Sequence, residues 1–162
     1  MIFEPRAADL ELVDLESALL RAAVGDYGAE AAVLLLAGAG HWLPQLQAAE
    51  LVGLVDVEDP AGPWAQIAWP DLDAALRAGR IVGSGGQLRL LRAAASLADG
   101  QPVDLGDIAA GLDRPGLVLL LAAIAHAGGS HDHHMSPAGE AVAAVIHVGE
   151  RLPPLATWPA RD

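Results

Sequence analysis

The densest group of residues that could do chemistry is the run His131, Asp132, His133 and His134. Imidazole nitrogens and carboxylate oxygens are good ligands for zinc, nickel and copper, so the run predicts a metal site that His126, just upstream, could join. Ligands this close in the chain reach one ion only if the loop that carries them is tightly folded. The alternative, which we favour, is a solvent-exposed polar loop.

A second pattern indicates an anion-binding turn, in which small residues precede a helix with two arginines one turn apart: Gly83, Ser84, Gly85, Gly86, Arg89 and Arg92. Backbone N–H groups and the dipole of the helix N-terminus would face a phosphate, with the two guanidinium groups nearby. Short glycine-rich runs are also common as flexible joints. In that alternative the arginines pair with acidic residues of the first half of the chain.

The inventory of catalytic side chains is small. The chain has no Cys and no Lys, which excludes a thiolate nucleophile, a Schiff base and a Walker-type lysine. Ser84 does not form a nucleophile elbow, because Val82 stands where the first glycine of that motif belongs. Glu30 lies on an otherwise apolar helix, where a carboxylate either serves catalysis or, more often, finds an arginine or a solvent edge. We predict no catalytic residues and no cofactor, and this inventory favours a non-enzymatic protein over an enzyme.

The acidic residues are unevenly distributed. The net charge is −12, and residues 1–59 hold eleven acidic residues against two arginines, a net charge of −9. Such a chain is repelled by nucleic-acid phosphates and by anionic lipid surfaces. We therefore expect no binding to nucleic acid or membranes. The expected partner is another protein of basic character, and a second copy of the chain is the alternative.

The sequence contains no pattern typical of export or membrane insertion. No basic region followed by an apolar run stands at the N-terminus. The two most apolar stretches, 29–39 and 116–127, are much shorter than the roughly 20 residues that a bilayer-spanning helix needs. Both predict buried core helices, and we expect a cytoplasmic protein.

Apolar periodicity predicts a mainly α fold, a compact helical domain of six to eight helices with one β-hairpin near residues 51–69. Helices are predicted at about 14–24, 29–37, 70–79, 87–98, 104–110, 114–127 and 136–148, with a short element starting near residue 41. The glycine-rich joint divides the chain into residues 1–82, with helices and the hairpin, and a helical part, 83–150. Residues 151–162 form an extended tail. At this length one continuous core is expected.

Residues 88–127 resemble the winged-helix order of helix, short helix and recognition helix, and residues 107–112 are similar to the second helix of many bacterial repressors. A recognition helix needs polar and basic side chains that reach base edges and phosphates. Residues 117–124 are entirely apolar, and Arg114 alone carries charge at the start of the helix. The resemblance implies a degenerate regulator that dimerises through the helix 114–127.

Trp158 lies in a proline-flanked tail, where it either anchors a partner or pins the tail onto the chain's own core. The acidic first half and the small catalytic inventory favour a non-enzymatic interaction or regulatory protein that binds another protein. The degenerate winged-helix regulator is the first alternative. A metal-binding or small-anion-binding protein is the second.

Overall fold

A computed structural model describes residues 5–134 and 150–161 of the chain. In that part the elements follow as α1 (Leu12–Ala23), α2 (Tyr27–Ala39), α3 (Trp42–Ala48), β1 (Val52–Asp56), β2 (Trp64–Ile67), α4 (Leu72–Arg77), α5 (Gly85–Asp99), α6 (Leu105–Gly111) and α7 (Arg114–Ala127). Three 3-10 turns lie at Ala7–Asp9, Trp69–Asp71 and Ser130–Asp132. The mainly α fold with one hairpin is confirmed. The helix predicted at 136–148 lies outside the described residues.

Side-chain caps fix the starts of α5, α6 and α7. At α5 the Ser84 hydroxyl accepts from the Gln87 backbone N–H, while the Gln87 side chain accepts from the Ser84 backbone N–H. Asp104 and Asp113 cap α6 and α7 in the same way, through their carboxylates. Each cap satisfies a backbone donor that the helix itself leaves unpaired. These caps are visible in the sequence, and α7 has the predicted bounds.

Helix α2 is longer at both ends than the apolar pattern predicts. Its N-cap is Asp26, whose carboxylate accepts from the Ala29 backbone N–H, so the polar residues Tyr27 and Glu30 belong to the first turn. Its C-cap is Gly40, with a φ of 70° in the left-handed region that favours glycine. The extension matters because it adds Tyr27 to the helix, and the Tyr27 ring lies beside His126 at the end of α7.

The hairpin pairs β1 and β2 in antiparallel register, with Val52 opposite Ile67 and Leu54 opposite Ala65. Val52, Ala65 and Ile67 are buried, and β2 packs on α1. The ladder becomes irregular after Leu54, and both strands lie within the hairpin region predicted near residues 51–69. One side of β1 therefore pairs with β2, and its outward residues face solvent.

The core is centred on α2, which packs against α1, α3, α5 and α7. One cluster of buried side chains contains residues from both sides of Gly83, among them Leu36, Trp42, Leu91 and Leu120. The division of the chain at Gly83 and the separate tail remain predictions. None of the helices in 5–134 and 150–161 has both the length and the apolar character needed to cross a membrane.

The joint before α5 is held by side chains. The Gln45 amide accepts from the Val82 backbone N–H at 2.8 Å and donates to the Val82 carbonyl at 2.8 Å. A Cβ on Gly83 would lie 2.8 Å from the ring of the buried Trp42, so glycine is needed there for packing. Trp42 also donates its indole N–H to the Gln87 carbonyl at 2.8 Å. The segment expected to be a flexible joint is therefore anchored to α3.

Candidate functional site

Two histidines stack on each other where α7 ends. The rings of His126 and His131 have centroids 4.0 Å apart and planes only 12° apart. The Tyr27 and His131 rings meet in an edge-to-face arrangement, with their centroids 4.6 Å apart. Gly129, with a φ of 72°, reverses the chain between the two histidines, and its missing Cβ leaves room for the Tyr27 ring. A tight turn thus brings His131 back over the last turn of α7.

Asp132 joins this cluster through hydrogen bonds. The Tyr27 hydroxyl donates to one carboxylate oxygen at 2.6 Å, and the Arg151 guanidinium donates to the other at 3.1 Å. The bond from Tyr27 and, after it, the bond from Arg151 hold the pKa of Asp132 below its ordinary value, and the bond to Asp132 raises the pKa of Tyr27. Asp132 is therefore an ionised acceptor that links α2 to the tail.

The predicted metal ligands do not converge on one point. His131 faces the His126 ring, and Asp132 accepts from Tyr27 and Arg151. The side chain of His133 is exposed, and His134 pairs through its backbone with Arg151. Among residues 5–134 and 150–161, no group of three or more histidines and carboxylates is placed to hold a metal ion. Metal binding by this run stays a prediction.

Most of the run is exposed, namely Asp132, His133 and His134, and only the start of the loop is buried. Ser130 is only 4% exposed, and the Nδ1 atom of His131 is buried without a hydrogen-bond partner in the described part of the chain. The turn at Gly129 folds this start of the loop against α2 and α7. His126 joins His131, as the sequence allowed.

Glu30 faces the buried edge of His126. The Glu30 Oε2 and His126 Nε2 atoms are 3.8 Å apart, too far for a hydrogen bond, and the two side chains are 22% and 14% exposed. Burial lowers the pKa of His126, the neighbouring His131 lowers it further, and Glu30 opposes both effects. His126 is thus held as a neutral imidazole at neutral pH. Sequence reasoning found Glu30 and His126 separately, but no spacing in the chain indicated that they meet.

This arrangement predicts a pH-dependent stability. Because His126 has a folded pKa below its ordinary 6.5, the unfolded chain takes up a proton first as the pH falls. The stabilising contribution is fully present above 6.5 and is lost as the pH falls through the lower folded value. In urea unfolding at a series of pH values, we expect His126→Gln to flatten this part of the profile. The matched variant of the exposed His133, His133→Gln, should keep the wild-type slope, and equal slopes in all three proteins would contradict the prediction.

A cavity of about 360 Å³ lies beside the stacked histidines. His126, Ser130 and His131 line one side, and Thr157 and Trp158 of the tail line another. The Trp158 ring lies 5.9 Å from the His126 ring, and the side chain packs against the chain's own core. Trp158 is therefore half-buried within its own chain, and its predicted role as a partner anchor stays a prediction.

Both arginines after the glycine-rich turn are paired with carboxylates. Arg89 donates to both carboxylate oxygens of Asp107, at 3.1 and 2.9 Å, and Arg92 donates to Asp73 at 3.4 Å. Asp73, in α4, lies in the first half of the chain, where the alternative places the partners, whereas Asp107, in α6, lies in the second half. The first turn of α5 is capped by Ser84. Anion binding by the turn stays a prediction.

The tip of the hairpin exposes apolar and acidic side chains side by side. Val55 and Val57 are 54% and 49% exposed, and they alternate with Asp56, Glu58 and Asp59. Within the described residues, none of these three carboxylates forms a salt bridge. We call residues 55–59 the acidic hairpin surface.

The carboxylates of this surface are ordered by the backbone. Asp56 accepts from the Glu58 N–H at 3.0 Å, and Asp59 accepts from the Ala61 N–H at 2.7 Å. Arg21 reaches the same hairpin, where its guanidinium donates to the Pro63 carbonyl at 3.1 Å. Hydrogen bonds to the backbone thus hold the turn that carries these carboxylates.

Comparison with protein-family models, with curated proteins and with solved structures found no match.

Proposed function

We propose that this chain is a non-enzymatic protein-binding module that engages a basic partner through the acidic hairpin surface. The observation that carries the proposal is the exposure of Val55 and Val57 among three carboxylates without a salt bridge in the described residues. Apolar groups give a partner area to bury, and unpaired charges select a cationic one and speed its approach.

The geometry of β1 supports an extended partner segment. One side of β1 pairs with β2, and on its other side the described residues offer no backbone hydrogen bond to 53–57. A groove of about 260 Å³ runs between Gly53 and the turn at Ala7–Asp9. An edge strand of this kind can accept a further strand, whose main chain supplies affinity and whose side chains supply specificity.

The test compares two variants with the same change in net charge. Asp56→Asn/Glu58→Gln/Asp59→Asn neutralises the acidic hairpin surface and keeps side-chain oxygens for the turn. Glu11→Gln/Asp14→Asn/Asp71→Asn neutralises three other exposed acids that form no salt bridge with described residues. With an alternating Arg-Val peptide as the probe, we expect the hairpin variant to associate about tenfold more slowly at low salt.

The matched variant should retain most of the wild-type association rate, and added salt should slow the wild type toward the hairpin variant. Equal losses in both variants would show that net charge alone attracts the peptide. Association that is independent of salt would contradict the electrostatic basis. Either result would remove the assignment of the partner site to the hairpin.

A second candidate is a homodimer formed through α7, as the winged-helix alternative implies. Helices α5, α6 and α7 occur in the order expected for that resemblance, and α7 exposes Val118, Leu121 and Ile124 at helical spacing. These side chains form an apolar stripe that a second copy could cover. Sedimentation equilibrium of wild type and Leu121→Gln tests it, because a dimer formed here should dissociate in the variant.

A further inference from the structure

We infer that the cavity beside His126 and His131 binds a small, neutral heteroaromatic molecule, which is a function separate from partner binding at the hairpin. Its volume, about 360 Å³, falls within the range of small-molecule sites. It lies between two parts of the chain, the end of α7 with its following turn and the tail that carries Trp158. A molecule bound there would contact both parts.

The aromatic preference comes from the side chains around the cavity. The imidazoles of His126 and His131 and the indole of Trp158 line it together with Leu34. Aromatic groups favour edge-to-face and offset contacts with another ring, beyond the area that they bury. Three such groups around one small cavity favour a flat ring over a branched aliphatic molecule.

The polar requirement comes from the two histidines. The Nε2 atom of His126 and the Nδ1 atom of His131 are buried without a hydrogen-bond partner among the described residues, and both residues line the cavity. Buried polar atoms are normally paired, since the loss of hydration is otherwise uncompensated. A donor or acceptor on the edge of the bound ring would pair with one of these nitrogens.

The neutrality of the molecule follows from the charges nearby. No arginine, aspartate or glutamate is among the described residues that line the cavity. Arg151 bonds to Asp132, and Glu30 faces His126 from the side of α2. A charged molecule would lose its hydration without meeting a counter-charge, and this disfavours carboxylates and ammonium ions.

The test uses benzimidazole as the probe, with benzoate as its charged counterpart. Titration is followed by NMR through the Trp158 indole N–H, assigned with Trp158→Phe. We expect saturable binding of benzimidazole with a dissociation constant below about 1 mM and at least about tenfold weaker binding of benzoate. Absence of saturation by benzimidazole, or tighter binding of benzoate, would overturn the inference.

Two variants locate the bound probe. Ala156→Leu places a larger side chain at the wall of the cavity and should weaken benzimidazole binding about tenfold, while Leu155→Ala changes an exposed neighbour and should leave it unchanged. His131→Phe keeps an aromatic ring beside His126 but removes the unpaired nitrogen, and it should weaken benzimidazole binding. If both cavity variants bind as tightly as the wild type, the site is elsewhere and the inference fails. The hairpin variant should bind benzimidazole normally, so the two proposals fail independently.

Discussion

Replacing Trp42 by alanine is expected to remove a large share of the stability of the fold. The side chain is 0% exposed and lies among the side chains of the main core. Removing such a ring costs about 3–5 kcal/mol through lost burial and the cavity left behind. The indole also donates to the Gln87 carbonyl and packs against Gly83, so the variant loses contact between α3 and the start of α5. Whole domains are stable by only about 5–15 kcal/mol.

Urea unfolding followed by circular dichroism measures this effect. Trp42→Phe keeps an aromatic ring but leaves the Gln87 carbonyl without its donor, so we expect a smaller loss of about 1–3 kcal/mol. The ranking of wild type, phenylalanine and alanine separates ring volume from the hydrogen bond. A Trp42→Ala protein within about 1 kcal/mol of wild type would show that the core can close around the missing ring.

Gly28→Val is expected to have the next largest effect, because it forces α2 away from α5. A Cβ at Gly28 would overlap the backbone carbonyl oxygen of Leu97, and a backbone atom cannot move aside as a side-chain end can. Overpacking of this kind typically costs about 1–3 kcal/mol. The helix propensity of valine is better than that of glycine by only about 0.3 kcal/mol, which is too little to offset the overlap.

Gly86→Ala in α5 is the matched control for this prediction. A Cβ there meets only the Gly111 carbonyl oxygen, at the ordinary distance of 3.9 Å. We expect the free energy of unfolding to stay the same or to rise by up to about 1 kcal/mol, from helix propensity. Equal effects of the two glycine substitutions in thermal unfolding would contradict the close approach of α2 and α5.

Local signals in the sequence were sufficient for most of the fold. Asp104 and Asp113 are caps placed directly before helical patterns, and the turn after Asp59 separates the two runs that form the hairpin. These features depend on neighbours in the chain, and pattern reasoning can find them. The bounds of α2 were missed because its polar first turn hides the helical period.

The candidate site was harder to predict from the sequence, because it is formed by tertiary contacts. Tyr27 and Asp132 lie more than a hundred positions apart, yet a hydrogen bond of 2.6 Å joins them. No spacing indicates such a pair. The ion pair between Arg89 and Asp107 could not be predicted for the same reason, because it depends on the packing of α6 against α5. Composition identified the histidine run but could not show that one of its members stacks on His126.

The double hydrogen bond between Gln45 and Val82 has a consequence for chemical ageing. Glutamine is among the thermolabile residues, and its loss of ammonia leaves a carboxylate. At Gln45 that change would replace the donor facing the Val82 carbonyl by a second oxygen, and attraction would become repulsion. Prolonged heating is thus expected to weaken the attachment of the segment before α5 to α3 without any break in the polypeptide.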